Sequence, residues 1–229
     1  MVVKRSLERP ILAVDVVLLA LRERVLCVRL QRRQAEPFTG AWALPGVAVR
    51  VDETLKDAAR RALAERGELA PEALGRVHLE QLSTFDALFR DPRGRTVSVA
   101  FLGLTRDGNE DGVGARWRAV EARGTGRLPF DHDAILTAAL DRLRGKLRYT
   151  NIARQLLDEP FGSEALRAVY QGVLGRALNR SNFREKLVRI GLIERVGLSE
   201  GASGARGGRP AHLYRFTRRG VEAEDRDFV

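Results

Sequence analysis

The stretch LPGVAVRVDETLKDAARRALAERGEL, residues 44–69, decides how this chain is read. Pro45 and Gly46 punctuate its start, and the period then changes: Leu55, Ala58, Ala59, Ala62 and Leu63 recur at helical spacing. Thr54 followed by Asp57 has the form of a capping box, in which a hydroxyl and a carboxylate each satisfy a backbone amide left open by the first turn. The stretch is therefore a loop, a helix over 54–66 and a second loop. Its charged groups are Glu53 in the first loop and Arg61, Glu65 and Arg66 on the helix.

Upstream, ILAVDVVLLA (11–20) and VLCVRL (25–30) are rich in aliphatic and β-branched residues and read as a hairpin across LRER. Cys27 in the second run reads as a buried strand thiol, and a single cysteine allows no disulfide within the chain. Trp42 and Leu44 fall on a short strand between turns. Downstream, 77–85 and 96–104 have strand character on either side of RDPRGR, which reads as a hairpin turn, and another strand falls at 115–120. The run DHDAILTAALDRLR (131–144) puts Ile135, Leu136, Ala139, Leu140 and Leu143 on one helical face with Asp131 as N-cap. These elements make an α+β first domain, and RGKLRY forms its junction with a second. The division is 1–147 and 148–229.

The second domain reads as three short helices and a hairpin, the order of a winged helix-turn-helix. The helices are 150–157, 163–174 with Ser163 as N-cap, and 181–190, closed by Gly191. In the third, Phe183, Leu187 and Ile190 share a buried face, while Asn182, Lys186 and Arg189 occupy the opposite one. Arg180 stands at its entry beside Ser181, and Arg184 reaches a flank. Strands at 192–196 and 212–216 enclose GLSEGASGARGGRPA, a glycine-rich wing that offers Arg206 and Arg209 to phosphate or a minor groove. Amide and guanidinium donors along one helix face suit base edges and phosphates in a major groove. The same cations would also suit an ordinary solvated surface in a domain that contacts protein.

Charge favours the first of these. The chain carries a formal net charge of +10, and residues 145–220 alone hold 15 basic and 6 acidic groups, a composition that attracts a polyanion. Asp15 interrupts the apolar start, which has neither a small-residue cleavage site nor the roughly 20 apolar residues of a membrane span. A cytoplasmic protein with no membrane partner is expected. His78, His132 and His212 are too dispersed for a metal site, and no nucleophilic triad stands out.

Residues 44–69 resemble the Nudix signature, a loop-helix-loop that in its family holds divalent cations against a diphosphate. The resemblance implies an α/β/α sandwich acting on nucleoside diphosphates linked to another group. Aligned through LPG, which keeps Gly46, the family's second glycine falls on Val47, its loop glutamate on Glu53 and its arginine on Arg61. The next three glutamates fall on Ala62, Glu65 and Arg66, and the closing glycine on Glu68. Hard cations need several converging oxygen ligands. Positions 62, 65 and 66 are read as neighbours on one helix surface, so this box loses two ligands there and gains a cation that cannot deprotonate.

A wider resemblance rests on PFTGAWALPG (37–46), DPRGRTVSVAFL (91–102), LPFDHDAILTAALDRLRGKLRYT (128–150), LNRSNFREKLVRIGLI and GGRPAHLYRF. These segments resemble the Nudix-related, NrtR-type transcriptional regulators of NAD metabolism. The resemblance implies a homodimeric repressor that senses ADP-ribose or a related nucleotide and reads double-stranded DNA with a palindromic operator.

The expected function is a sequence-specific regulator whose degenerate Nudix domain binds its effector without hydrolysing it, with no catalytic residue, no metal site and no required cofactor. Retention of Mg2+ beside the nucleotide stays open. Arg66 is a candidate phosphate ligand, and equally a partner of Glu65 on a solvated helix surface. Phe38, Trp42 and Phe85 are candidates for stacking on the base, although single strand aromatics more often serve a core. The alternatives are an active ADP-ribose pyrophosphohydrolase using Glu53 and Glu65, and a nonspecific nucleic-acid-binding or scaffold protein.

Overall fold

A computed structural model describes residues 9–107, 111–120, 127–199, 211–218 and 221. The first domain is built around β1 (Ile11–Arg22), whose near-continuous apolar sequence follows from having both faces covered. Its side chains alternate: Val14, Val16, Leu18 and Ala20 join one apolar cluster, whereas Val17 and Leu19 join the other. β1 pairs antiparallel with β2 (Val25–Arg32) and β4 (Gly46–Ala48), and parallel with β6 (Thr96–Leu104) from Ile11–Thr96 to Leu19–Leu104. With β3 (Trp42–Ala43), β5 (His78–Phe85) and β7 (Ala115–Ala119) they form a seven-stranded mixed sheet.

Helix α1 (Leu55–Glu65) covers one face through Ala58, Ala59, Ala62 and Leu63. The capping box read from Thr54 and Asp57 is present in both directions. Helix α3 (His132–Tyr149) covers the other face through Ile135, Ala139, Leu143 and Leu147. The short α2 (Pro71–Gly75), which carries no long apolar period, was not foreseen from the sequence. Cys27 is buried on the α1 side. Sheet and helices make an α/β/α sandwich, as the Nudix resemblance implied.

Several local readings are corrected. The helix read over 131–144 does not stop at RGKLRY: α3 runs through that junction to Tyr149, because Leu143 and Leu147 extend the same buried stripe. Asp131 stands at the N-cap of α3 but makes no capping hydrogen bond, since its carboxylate is taken by Arg90. Residues 152–156 form a 3-10 helix, not an α-helix over 150–157. Gly162, paired with β10 (His212–Phe216) as part of β8 (Phe161–Gly162), is the N-cap of α4 (Ser163–Leu174), so Ser163 is its first residue. Helix α5 begins at Arg180, one residue early, because the Asn179 side chain accepts from the Asn182 amide. Ile190 is only half-buried and forms its C-cap, followed by Gly191 at φ 75°.

The second domain adds β9 (Ile193–Leu198) in a three-stranded sheet ordered β8-β10-β9, the arrangement of a winged helix-turn-helix. Its core is continuous with the first. The α3-side cluster runs from Leu26 and Val28 through α3 into Ile152, Val169, Tyr170, Val173, Phe183, Leu187, Tyr214 and Phe216. A tight approach is at Gly172 of α4, where an added Cβ would lie 3.0 Å from Leu26 Cβ. Among the described residues no helix is long and apolar enough to cross a membrane.

Leu26 Cβ is fixed to its strand and cannot swing away. Gly172→Val is therefore expected to lower stability by about 1–3 kcal/mol through overpacking, which exceeds the few tenths gained in helix propensity. An unchanged urea midpoint would refute the tightness of this contact.

Candidate functional site

The first loop and α1 are tied together by one ion pair. Arg61 donates from Nε to Glu53 Oε2 at 2.9 Å and from Nη2 to Glu53 Oε1 at 2.5 Å, and Nη2 also reaches the Ala48 carbonyl at 2.9 Å. The Arg50 amide donates to Glu53 Oε1 at 2.8 Å. The Arg61 fork, helped by that amide, holds the Glu53 carboxyl well below its usual range, at about 2. Glu53 is thus a loop anchor with its oxygens already engaged.

The surviving helix carboxylate is also occupied. Glu65 lies 3.4 Å from Arg61 and 3.6 Å from Arg50. Ala62 is fully buried against the sheet, whereas Glu65 and Arg66 are exposed, which corrects the reading of the three as neighbours on one open surface. Val47, where the family has a small residue, packs on the same apolar cluster that holds Ala62. Two positions that carry a glycine and a glutamate in the signature have both gone to apolar packing. Glu68, at the place of the closing glycine, keeps a left-handed backbone with φ 52° and turns its carboxylate to accept the Gly114 amide at 2.9 Å.

These residues do not fit a divalent cation. Hard cations need several free oxygen ligands, and here one carboxylate is bracketed by guanidiniums, one is locked in the loop and a third position is a buried methyl. Among the described residues no group of three or more His, Cys, Asp or Glu converges for a metal.

Beside α1 lies a cavity of about 380 Å³, walled by β1, the Gly46–Ala48 strand, the loop after Gln31, the loop before β6 and the start of α3. At its floor Asp15 is buried. Arg90 donates to it from Nη2 at 3.1 Å and Ser98 Oγ at 2.6 Å. The Leu44 amide donates to His132 Nδ1 at 3.1 Å, which leaves Nε2 as the protonated nitrogen facing Asp15 Oδ1 at 3.5 Å. Gly46 passes so close that a Cβ there would stand 2.2 Å from Asp15 Oδ1. Arg90 also forks onto Asp131 at 2.6 and 2.9 Å. Burial alone would raise the Asp15 pKa, but His132, Ser98 and Arg90 outweigh it and hold the carboxyl at about 2.

Four arginines line this cavity: Arg33, Arg66, Arg90 and Arg93. Arg33 donates to the Pro37 carbonyl at 2.8 Å and lies 4.7 Å above the Phe130 ring, while Arg93 forks onto Asp91 at 2.7 and 3.0 Å. Arg66 makes no side-chain hydrogen bond or ion pair among the described residues. Of the aromatic candidates, Phe38 meets the wall edge-on through Phe130, with centroids 5.1 Å apart. Trp42 lies under Arg116 at 3.8 Å, and Phe85 packs against the core; neither lines the cavity. Sequence reasoning missed Asp15, Arg33, Arg90, Asp91, Arg93, Phe130 and His132. A charged residue inside an apolar strand and a loop as charged as DPRGR were the available signals.

In the winged domain, Phe183 and Leu187 bury one side of α5, with Phe183 edge-on to Tyr170 at 4.9 Å. Asn182 and Arg189 are exposed and Lys186 is half-buried; neither cation has an ion-pair partner among the described residues. Arg184 lies 3.2 Å from Glu185, and Arg180 is bound to Glu164 of α4 at 2.7 Å, so Arg180 ties the two helices together. Ser181 lies in the first turn of α5. Arg206 and Arg209 lie outside the described residues.

A Nudix fold with an arginine-lined cleft, fused through a shared helix to a winged helix-turn-helix, defines the class. The NUDIX domain family matches residues 9–137, and the NrtR DNA-binding winged helix domain matches residues 153–216. The chain is 30% identical over 93% of its length, and 84% of the relative's, to the ADPR responsive transcriptional repressor NtrR of Acinetobacter baylyi. It is similar to NrtR of Shewanella oneidensis crystallised with a 27mer DNA, with a TM-score of 0.73 and 28% identity, covering 94% of this chain and 98% of that one. It is also similar to the NUDIX domain of that protein crystallised with ADP ribose, with a TM-score of 0.52 and 29% identity over 59% of this chain and 90% of that one. The chain belongs to the NrtR-type family, in which a Nudix domain is joined to a DNA-binding winged helix domain.

Because the folded Asp15 pKa is depressed, its contribution to stability is present above the ordinary carboxylate pKa and is lost as pH falls from about 4 towards 2. Asp15→Asn is expected to cost about 3 kcal/mol near neutrality, since it leaves Arg90 short of a buried partner. It should also remove this group's part of the acid limb in a pH series of urea melts. A variant as stable as the native chain, with the same acid limb, would count against the network.

Proposed function

We propose that this chain is a sequence-specific transcriptional regulator, acting as a repressor, whose Nudix domain binds ADP-ribose or a related nucleotide without hydrolysing it. The observation that carries the reading is the condition of α1. Its one remaining acidic ligand sits between two guanidiniums while an open, arginine-lined cavity persists beside it. Cleaving a diphosphate needs water activated and charge neutralised by cations that this helix is poorly built to hold. Binding needs only the cavity and its donors. The similarity to a repressor described as ADPR responsive, and to a Nudix domain crystallised with ADP ribose, supports the same ligand class.

The winged domains of a homodimer would read a palindromic operator, since a two-fold protein matches a two-fold site. Asn182, Lys186 and Arg189 are the base-reading and phosphate-contacting candidates on α5, with Arg184 on its flank, and the similarity to a protein crystallised with DNA supports that surface. Nucleotide binding then shifts DNA affinity only to the extent that the ligand distinguishes the DNA-ready from the DNA-poor arrangement. The continuous core through α3 gives such a difference a physical route.

Selection of genomic DNA by the full chain, followed by competition with ADP-ribose and NAD, tests both halves. At fixed ionic strength Lys186→Ala and Arg189→Ala should each weaken specific binding roughly tenfold or more. Specific affinity preserved in both would displace the proposed surface, and binding to any competitor DNA without preference would favour a nonspecific scaffold. In a Mg2+-containing assay ADP-ribose should not be turned over above background. Substantial hydrolysis, abolished by Glu65→Gln, would replace the sensor with an enzyme.

A further inference from the structure

We infer that this cavity takes the diphosphate of its ligand on guanidinium groups alone, with Arg66 supplying the positive charge that a divalent cation gives in a metal-dependent Nudix site. The inference rests on the nucleotide-sensing reading above and concerns how the ligand is held.

The charge inventory of the cavity separates its arginines. Arg90 is satisfied by Asp15 and Asp131, and Arg93 by Asp91. Arg33 has backbone carbonyls and an aromatic ring as partners but no carboxylate within ion-pair distance among the described residues. Arg66 has no side-chain partner of either kind among the described residues. Two lining guanidiniums are therefore without an ion pair among the described residues. Burial lowers the pKa of Arg33, and Arg93 and Arg66 lower it further against the opposing pull of Asp91 and Asp15, so the cations on this wall repel one another. An anion entering between them relieves that repulsion, and a diphosphate brings two negative charges to two unmatched cations.

Position supports the same assignment. Arg66 is the C-cap of α1, where a cation complements the negative end of the helix dipole, and its backbone amide is anchored to the Ala62 carbonyl at 2.9 Å. The backbone is thus fixed while the exposed side chain stays available. It also stands in the helix register where the signature carries its last glutamate, so a cation now occupies the corner in which a carboxylate would have held metal. A planar fork offers paired donors to phosphate oxygens, which a point charge on lysine does not reproduce.

The test is ADP-ribose titration of the full-length chain by calorimetry, once with excess chelator and once with millimolar Mg2+. The expected result is a native Kd that agrees within about twofold between the two conditions. Arg66→Ala should bind roughly tenfold or more weakly in both, the loss of one charge-assisted contact, with Arg66→Lys in between. Arg60→Ala, which removes the same charge from an exposed position of the same helix that does not line the cavity, should bind as the native chain does. Thermal melts of each variant separate a binding loss from a folding loss. Native binding that vanishes with chelator and returns with Mg2+ would overturn the inference while leaving the sensor reading intact, as would Arg66→Ala binding like the native chain. Absence of ADP-ribose binding under both conditions would instead overturn the sensor reading, and the inference with it.

Discussion

Everything around the cavity hangs on one carboxylate that has lost its water. Asp15 sits in the middle of β1, and a charge of that size costs several kcal/mol to bury unless donors replace its hydration. The donors come from β6 through Ser98, from the loop before it through Arg90, and from α3 through His132. Gly46 keeps β4 close enough to close the remaining side. Sheet, loop and helix are thus fixed relative to one another by a need none could meet alone. Arg90 extends the arrangement to Asp131, which is why that residue does not cap its own helix.

The chemistry of the site follows from a similar trade. Where the signature places a glycine and a glutamate, this chain has Val47 and Ala62, both committed to the apolar layer under α1. The one acidic ligand left on the helix is bracketed by Arg50 and Arg61. Arg61 pairs with Glu53, so the loop is held against the helix by its own ion pair. The contacts that shape the loop are present, while the helix carboxylate beside them is taken by guanidiniums.

The sandwich and the winged domain were legible because periodicity records which faces are covered. Leu55 to Leu63 announced α1, and Thr54 with Asp57 announced its start, since a capping box is a local contract between residues three apart. What stayed hidden was long-range. Asp131 looks like an N-cap when only its neighbours are visible, and nothing adjacent says that an arginine forty-one residues upstream will claim it. RGKLRY reads as a junction because its charges dominate the text, while Leu147 alone marks the stripe that keeps it helical. The cavity was the least legible part. Arg33, Arg90 and Arg93 belong to loops with no period, and their meeting is a property of the sheet that brings the loops together. The exposed face of α5 was visible because amphipathic spacing separates Phe183 and Leu187 from Asn182 and Arg189.

Helix α3 has no single owner. The match to the NUDIX family stops at residue 137 and the match to the winged helix domain starts at 153, yet the helix between carries Ala139, Leu143 and Leu147, which belong to an apolar core reaching into both halves. A first half that kept this helix would still hold it on the sheet but would bare the part of its stripe that faces the winged helix domain, and the second half would open a trough where the stripe had been. Two ancestral modules can be joined by any flexible tether, but a spine held in common turns the joint into a commitment. The winged helix domain cannot be exchanged for another without rewriting the interior of the Nudix domain.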